Sequence, residues 1–286
     1  MAAASTERRR TPPPVLVKWG GSLITDKTRP ETPRPEVLRR LAAELAEVLP
    51  ELAGGVVLGH GSGSFGHVAA HHHRLRGRLD PTTQRLAVSA VQAAAARLHR
   101  RVVEALVEAG VPAFSLPASA WMIAGEGRPE LAAPEVLEHA LDFGLVPVTG
   151  GDVVLDRSWG AAICSTEVEL EAIAAVCGAA RVLWLGETPG ILDGDGKTVP
   201  QLGEDDLPGL RATLGAPRGT DVTGGIELRV GSALALARLG VPSILANGLE
   251  PGLLARVLRG ETVTGTEVVA RPATAAVTGT GGTDHG

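Results

Sequence analysis

A glycine-rich stretch that directly follows a short apolar run constrains the fold of this chain more than any other feature. Residues 56–58 read Val-Val-Leu, and glycines then occupy positions 59, 61, 63 and 66. Short apolar runs are typical of buried strands, and glycine lets the backbone that follows approach a ligand closely. Successive N–H groups left uncovered by glycine form a concavity that binds anions. The stretch therefore predicts a buried strand that ends in a phosphate-binding loop.

A second stretch near the N-terminus has the same organisation. The apolar residues 15–17 are followed by Lys18, Trp19, Gly20, Gly21 and Ser22. A strand followed by a lysine, two glycines and a serine again predicts a phosphate-binding loop. Two such loops in one chain indicate two phosphorylated ligands, and hence transfer of a phosphoryl group between them.

Predicted strands and helices alternate along most of the chain. Apolar runs predict strands over 15–17, 56–58, 111–116, 145–149, 153–155, 160–163, 182–185, 241–246 and 266–269. Helical spacing of apolar residues predicts helices over 35–49, 82–109, 134–143, 166–176, 222–239 and 251–258. This alternation predicts an α/β fold with a mostly parallel sheet covered on both faces. Because ligands of such sheets bind at the carboxyl ends of the strands, we expect both glycine loops at one edge, together with residues 150–152 and those after Leu185.

The bulk properties exclude several classes of protein. A net charge of −5 argues against a basic surface for nucleic acid or membranes. Cys164 and Cys177 fit neither a zinc site nor a disulfide framework, so we expect a reducing compartment. Residues 1–14 lack the apolar segment of a signal peptide, and no apolar run is long enough to span a bilayer. We expect a cytoplasmic protein whose residues 1–14 form a disordered leader.

Five short motifs in the chain belong together. They are KWGGSLITDK at 18–27, HGSGSFGH at 60–67, GGDVVLD at 150–156, TDVTGG at 220–225, and the pairs Asn247-Gly248 and Gly265-Thr266. The combination of the first motif with Gly-Ser-Phe-Gly-His is specific, whereas either alone is weak. These residues resemble the amino acid kinase superfamily, and within it the isopentenyl phosphate kinases, over about 15–269.

The resemblance implies a fold and a reaction. The expected fold is a three-layer αβα sandwich with a mostly parallel open central sheet, usually as a homodimer. The expected reaction moves the γ-phosphate of ATP onto isopentenyl phosphate, with Mg²⁺ as cofactor. One domain over 15–270 would bind the acceptor through about 15–160 and the nucleotide through about 161–270, and residues 271–286 would form a flexible tail.

The resemblance also assigns site residues. Those implied to hold the nucleotide are Lys18, Gly20, Gly21, Ser22, Gly63, Glu187, Gly190, Gly225 and Arg229. Those implied to hold the acceptor are Ser62, Gly63, His67, Gly151 and Asp152. The implied catalytic side chains are Lys18, Lys27 and His67, with Lys27 neutralising charge on the group in transfer. No protein-built metal site is implied, and Arg229 stands where relatives usually carry lysine.

Each of these side chains also has an ordinary structural interpretation. Lys18 and Lys27 are compatible with solvated surface lysines, and His67 with an ordinary loop histidine. Asp152 is equally compatible with a cap on the following turn, an acceptor contact or a neighbour of Mg²⁺. Arg229 is compatible with simple charge on a helix surface.

The remaining histidines and the apolar wall are less specific signals. We interpret His60 as support for the glycine loop, and 71–73 as a solvated or pocket-rim tract rather than a metal site, because consecutive residues on a helix diverge around its axis. The acceptor's organic tail needs an apolar wall. Candidates for it are Val68, Ala69, Leu86, Val88 and Val91, which packing of a helix on the sheet would explain equally well.

Two other classes of function use the same loops. A related kinase would phosphorylate another phosphate or a phosphonate such as fosfomycin. A non-enzymatic nucleotide-binding or storage protein is the other possibility. Lys27 and His67 argue against the latter, since a pure binding protein needs no charge between donor and acceptor.

Overall fold

The computed structural model describes residues 12–75, 78–80, 82–206 and 225–270. Its strands are β1 (Val15–Trp19), β2 (Val56–His60), β3 (Ala113–Ser115), β4 (Met122–Gly125), β5 (Arg128–Leu131), β6 (Val146–Gly150), β7 (Asp152–Asp156), β8 (Gly160–Cys164), β9 (Arg181–Gly186), β10 (Gln201–Leu202), β11 (Ser243–Asn247) and β12 (Gly265–Val268). Its α-helices are α1 (Gly21–Ile24), α2 (Pro35–Val48), α3 (Gly63–His72), α4 (Arg85–Glu108), α5 (Ala118–Trp121), α6 (Pro134–Asp142), α7 (Thr166–Cys177), α8 (Gly225–Arg238) and α9 (Leu253–Leu258). Short 3₁₀ turns occupy Leu49–Glu51 and Glu204–Asp206.

An eight-stranded sheet forms the centre of the fold, in the order β10-β12-β11-β9-β1-β2-β6-β3. Every neighbouring pair in it is parallel except β11 with β12. Strands β1, β2, β6 and β9 run in the same direction, so their carboxyl ends lie at one edge of the sheet. This confirms the predicted α/β class with a mostly parallel sheet.

Helices cover both faces of this sheet. On β1, Val15, Val17 and Trp19 face the helices α2, α4 and α9, whereas Leu16 faces α7 and α8. Side chains of a strand alternate between its faces, so Lys18 lies on the same face as Leu16. The two apolar layers, one on each face, make the αβα arrangement.

Local signals account for several helix ends. Pro35 occupies the first turn of α2, where its missing N–H group costs nothing. Gly110, with φ of +86°, follows α4, and Gly178, with φ of +76°, ends α7. Ser165 is the residue that precedes α7, but its side chain makes no capping hydrogen bond.

A second, four-stranded sheet has the order β5-β4-β7-β8. The hairpins β4–β5 and β7–β8 are antiparallel, and β4 joins β7 in parallel through Ala124 and Asp156. The sequence analysis predicted the two strands of the second hairpin but not the pairing of the two hairpins. The pairing joins residues about thirty positions apart, which local periodicity does not reveal.

Some predictions lie outside the described residues. These are most of the leader at 1–14, the tail at 271–286, and positions 220–224 of the fourth motif. The division of 15–270 into acceptor and nucleotide parts stays a prediction. Among the helices that the structure describes, none combines the length and apolarity that crossing a membrane requires.

Candidate active site

The loops that follow β1, β2, β6 and β9 meet around one cleft with a volume of about 1560 Å³. The predicted residues that line it are Lys18, Gly21, Ser22, Lys27, Ser62, Gly63, His67, Gly151, Asp152, Glu187, Gly190 and Arg229. Gly20 is not among the lining residues, and its N–H donates to the Leu185 carbonyl at 2.8 Å. The predicted role of Gly225, the first described residue of α8, stays a prediction.

The two glycine loops touch each other through their backbones. A Cβ atom at Gly21 would lie 2.6 Å from the Gly63 nitrogen, and one at Gly61 would lie 2.6 Å from the Gly21 nitrogen. Only glycine permits this approach, because real Cβ atoms do not come so close to a backbone. The two predicted phosphate-binding loops therefore form one continuous surface rather than two separate sites.

Thr25 joins the two loops. Its buried hydroxyl donates to the Gly21 carbonyl at 2.7 Å and accepts the Ser64 N–H at 2.9 Å. The next residue, Asp26, holds a tight turn by accepting the Thr28 N–H at 2.9 Å and the Thr28 hydroxyl at 2.6 Å. Lys27 lies within this turn and lines the cleft.

Lys18 forms a buried ion pair with Glu167, the second residue of α7. Burial lowers the pKa of Lys18, and the charges of Arg229 and Lys27 act in the same direction against the attraction of Glu167. Burial alone would raise the pKa of Glu167, but Lys18 and Arg229 lower it overall. Lys18 and Arg229 thus share the Glu167 carboxylate, and Lys27 adds a third positive charge near Lys18.

Arg229 reaches this cluster from α8. Its guanidinium lies over the backbone of Gly20 and Gly186, at the ends of β1 and β9. Across the cleft mouth, the Arg34 Nη1 is 2.7 Å from the Glu187 Oε1. This pair links the segment that carries Lys27 to the segment after β9 that was predicted to bind nucleotide.

The first turn of α7 is a part of the site that the sequence analysis did not identify. Cys164, Ser165, Thr166 and Glu167 all line the cleft, and the Thr166 hydroxyl donates to the His60 carbonyl at 2.6 Å. The N-terminus of a helix carries partial positive charge and attracts anions. The acidic residues after Ser165 were a usable signal for a helix start, but nothing in the sequence indicated that Glu167 pairs with Lys18.

Beneath this turn lies a buried carboxyl group. Glu169 is 0% exposed and its Oε2 accepts the Thr149 hydroxyl at 3.0 Å. Its Oε1 accepts no hydrogen bond from a nitrogen or oxygen donor in the described part of the chain, and the Cys164 thiol adds a weak contact to this carboxyl group. Burial raises the pKa of Glu169 well above its usual value, and the nearby Asp152 adds to this effect.

His67, Gly151 and Asp152 lie on the other side of the cleft. The Asp152 Oδ1 accepts the Val153 N–H at 2.8 Å and its Oδ2 accepts the Ser119 N–H at 3.3 Å. Burial raises the pKa of Asp152 in spite of these bonds. The carboxylate thus caps local backbone and also lines the cleft, and its contact with the acceptor or with Mg²⁺ stays a prediction.

An apolar wall continues from His67. It contains Val68, Ala70, Val91, Ala95 and Ile163. Two of the predicted wall residues, Val68 and Val91, are therefore confirmed as lining the cleft. Leu86 is wrong as a candidate, because it is 86% exposed on α4, outside the cleft.

The described residues offer no group of three or more His, Cys, Asp or Glu side chains suited to a metal ion. Mg²⁺ in kinases commonly binds through substrate phosphates and only one or two carboxylates. The cleft, with three cationic side chains and Asp152 at its wall, fits a metal ion that enters on the nucleotide rather than one held by a protein cage.

Comparisons with known proteins agree with this geometry. The amino acid kinase family matches residues 13–247. Isopentenyl phosphate kinase from Methanothermobacter thermautotrophicus is 32% identical, over 90% of this chain and 99% of its own length. Isopentenyl phosphate kinase from Haloferax volcanii is 37% identical, over 86% of this chain and 99% of its own length. An X-ray structure of isopentenyl phosphate kinase has a TM-score of 0.76 and 27% identity, covering 89% of this chain and 99% of the other. The chain therefore belongs to the amino acid kinase family, and within it to the isopentenyl phosphate kinases.

Proposed function

We propose that this protein transfers the γ-phosphate of ATP to the phosphate of isopentenyl phosphate, giving isopentenyl diphosphate and ADP. The observation that carries the proposal is the contact between the two glycine loops. A phosphoryl group can pass between two ligands only if their phosphates are neighbours, and the contact of Gly21 with Gly61 and Gly63 makes the two loops one surface. Membership of the family supports ATP as the donor.

The donor side is assigned to the first glycine loop and the cations around it. Lys18, Gly21 and Ser22 bind the ATP phosphates, with Arg229 as a further phosphate contact. Glu167 holds the Lys18 ammonium in place rather than touching the nucleotide. Glu187 and Gly190, after β9, contact the remainder of the nucleotide on the same side of the cleft.

The acceptor side is assigned to the second loop. The N–H groups of Ser62 and Gly63 donate to the acceptor phosphate, and the His67 ring adds a side-chain donor. Gly151 and Asp152 border this position, and the organic tail lies along Val68 and Val91. The apolar wall supports an acceptor with a short hydrocarbon tail rather than a sugar or an amino acid.

Charge balance explains how this arrangement promotes transfer. Phosphoryl transfer needs positioning and electrostatic stabilisation more than covalent chemistry by the protein. Donor and acceptor are both anions that repel each other, and the positive charges of Lys18, Lys27 and Arg229 offset that repulsion. Lys27 acts on the group in transfer, and Mg²⁺ carried by ATP neutralises further phosphate charge.

Assembly and location complete the proposal. We infer a homodimer from the family resemblance, and sedimentation velocity on the full chain tests it. A monomer at micromolar concentration would contradict this inference. The cytoplasmic location rests on the sequence composition alone and stays a prediction.

A coupled assay of ADP release over several acceptors tests the function. We expect isopentenyl phosphate to be preferred over fosfomycin, and no release without an acceptor. Preference for fosfomycin would instead support the related phosphonate kinase, and nucleotide binding without turnover would support a storage protein.

The variant Lys27→Ala tests the assigned chemistry in the same assay. We expect kcat to fall by orders of magnitude while the affinity for ATP changes less, because Lys27 contributes mainly in the transition state. Lys197→Ala, a change in a turn on the nucleotide side of the sheet, is the control. Turnover of Lys27→Ala that matches this control would refute the role of Lys27.

A further inference from the structure

Three side chains behind the second glycine loop form a continuous hydrogen-bonded chain. The Nδ1 atom of His60 is 3.2 Å from the Gly61 carbonyl oxygen, and its Nε2 is 2.9 Å from the Nδ1 of His99. The Nε2 of His99 is in turn 2.9 Å from the Ser115 hydroxyl. His60 ends β2, His99 lies on α4 and Ser115 ends β3, so the chain joins three elements.

The partners fix the direction of each proton. A carbonyl oxygen only accepts, so the His60 Nδ1 carries a proton and, in the neutral ring, its Nε2 accepts one. The His99 Nδ1 must then donate to His60, and its Nε2 accepts the Ser115 hydroxyl. Burial, His99 and the Lys18 ammonium lower the pKa of His60 to about 3, and burial lowers that of His99 to about 4. Both rings are therefore neutral at physiological pH. In the hydrogen bonds between these side chains each donor points the same way, from Ser115 through His99 and His60 to the Gly61 carbonyl.

The surroundings leave the His60 ring no alternative position. A Cβ atom at Gly150 would lie 2.6 Å from both Cε1 and Nε2 of this ring. Gly150 ends β6, so the ring fills the space that its missing side chain leaves. The His60 and His99 ring centroids are 5.2 Å apart, and both residues are buried.

The hydrogen-bonded chain of side chains ends at the second glycine loop and restrains its backbone. Gly61 is held at both ends of its backbone, because its N–H donates to the Trp19 carbonyl at 2.9 Å while its carbonyl faces His60. In a planar trans peptide the C=O and N–H groups point in opposite directions. With the Gly61 carbonyl turned inward to His60, the Ser62 N–H points outward, on the side where Ser62 lines the cleft. No acceptor in the described residues takes this N–H.

We propose that the chain Ser115–His99–His60 positions the Gly61–Ser62 peptide so that the Ser62 N–H faces the acceptor phosphate. His60 and His99 are positioning residues that touch no reacting atom. The role in turnover rests on the proposed function, whereas the orientation of the peptide toward an anion does not. The acceptor site thus depends on a side chain on α4, outside the motifs that identify the family.

Two substitutions at His99 separate hydrogen bonding from packing. His99→Leu keeps the volume but removes the donor to His60, whereas His99→Asn retains an N–H group near the position of Nδ1. We expect His99→Leu to raise the KM for isopentenyl phosphate about tenfold, the effect of one net hydrogen bond, with the KM for ATP within about twofold. His99→Asn should stay within about threefold of the parent protein. His139→Leu, at an exposed histidine on α6, is the matched control.

An NMR experiment on the full chain tests the geometry without turnover. We expect nitrogen shifts of His60 typical of the neutral Nδ1–H tautomer, and a shift of the Ser62 amide on addition of inorganic phosphate. His99→Leu should lose the amide response while His139→Leu keeps it. Should His99→Leu not fold, Ser115→Ala makes the same test, with an expected rise of about threefold in the acceptor KM.

Several results would overturn the proposal. These are an unchanged acceptor KM and amide response in His99→Leu, equal rises in both KM values, or a His99→Asn variant as impaired as His99→Leu. If the parent protein fails to phosphorylate isopentenyl phosphate, the proposed function fails. The tautomer and the phosphate response of Ser62 then still decide whether the chain positions the peptide.

Discussion

Single residues at this site acquire their function from the strand that carries them. Lys18 is one position beyond Val17 on β1, so the alternation of the strand turns it toward α7 rather than toward α2. There it meets Glu167 in a buried ion pair. Moving the Lys18 ammonium away from Glu167 would leave each buried charge without its partner, which costs free energy. The pair therefore holds the Lys18 ammonium in place. The same positive charge is available to phosphates that enter the cleft.

Substitutions at His67 test which phosphate each glycine loop binds. One charged or strong hydrogen bond to the acceptor contributes roughly 1.5–3 kcal/mol, so we expect His67→Ala to lower kcat/KM for isopentenyl phosphate about ten- to a hundredfold. His67→Gln keeps a neutral donor and should fall between Ala and the parent protein. ATP binding, measured by calorimetry without acceptor, should be almost unchanged. Weakened ATP binding with an unchanged acceptor KM would show that the two phosphate sites have been assigned the wrong way round.

Arg229 tests the nucleotide side. Its guanidinium lies over Gly20 and Gly186, beside the buried Lys18–Glu167 pair. We expect Arg229→Ala to raise the KM for ATP more than that for the acceptor. Arg229→Lys should restore it only in part, because an ammonium lacks the planar fork of the guanidinium. Arg238→Ala, at an exposed position on the same helix, is the control, and an ATP KM equal to that control would place Arg229 on a plain helix surface.

The sequence predicts residues that belong to local motifs and misses those that depend on tertiary neighbours. Lys18, Ser22 and His67 were predicted because they lie in or beside the glycine-rich stretches that follow two strands, whereas the role of Lys27 came from the family resemblance. Thr25, Glu167 and Glu169 were not, since their roles come from partners that are 20 to 149 positions away and lie across the fold. His60 was interpreted correctly as support for the loop, but its bond to His99 on α4 carries no sequence signal.

At the scale of one element, α7 combines a part of the site with a buried acidic residue. Its first turn lines the cleft, while its fourth residue, Glu169, is a buried carboxyl whose Oε1 accepts no hydrogen bond from a nitrogen or oxygen donor of the described residues. A polar group that is buried without its hydrogen bonds costs stability. The helix thus brings Glu167 to Lys18, but it also buries a second acidic residue, Glu169, in the core, and that burial costs stability.

The buried carboxyl predicts a stabilising substitution. Because folding raises the pKa of Glu169, its contribution to stability is fully present below the unfolded pKa of about 4.5 and is lost as pH rises. Glu169→Gln mimics the protonated form, so we expect a higher free energy of unfolding than the parent at pH 7 and little difference at pH 4. The gain should grow by up to about 1.4 kcal/mol per pH unit above 4.5. Chemical denaturation at both pH values measures it, with Glu171→Gln on the same helix as the control. A variant that is equally destabilised at both pH values would contradict a protonated Glu169.

At the scale of the whole molecule, the strand order places the cleft. Strands β2, β6 and β3 lie on one side of β1, and β9, β11, β12 and β10 on the other. The chain therefore reverses its direction of travel across the sheet at β1, and crevices at such reversals are where open α/β sheets bind ligands. The sequence predicts the elements and the shared edge. It does not predict that β6 separates β2 from β3, or that two hairpins join into a second sheet, because those pairings are not local.

The free energy of unfolding of the whole molecule should depend on pH through the two neutral buried histidines. Folding lowers the pKa of His60 to about 3 and that of His99 to about 4, so their contribution is complete above the unfolded value of about 6.5 and is lost as pH falls toward 4. Between about pH 4.5 and 6 the unfolded chain binds protons at both rings that the folded chain does not bind.

Other titratable groups add to the slope of the unfolding free energy against pH, so the informative quantity is the difference in slope between variants. We expect His99→Leu to reduce the slope of the unfolding free energy against pH by up to about 1.4 kcal/mol per pH unit, the value for one proton. The parent and variant curves should then approach each other at low pH, whereas His139→Leu should run parallel to the parent. Equal slopes in His99→Leu and the parent, measured by urea denaturation at half-unit steps of pH, would mean that His99 titrates in the folded protein as it does in the unfolded chain.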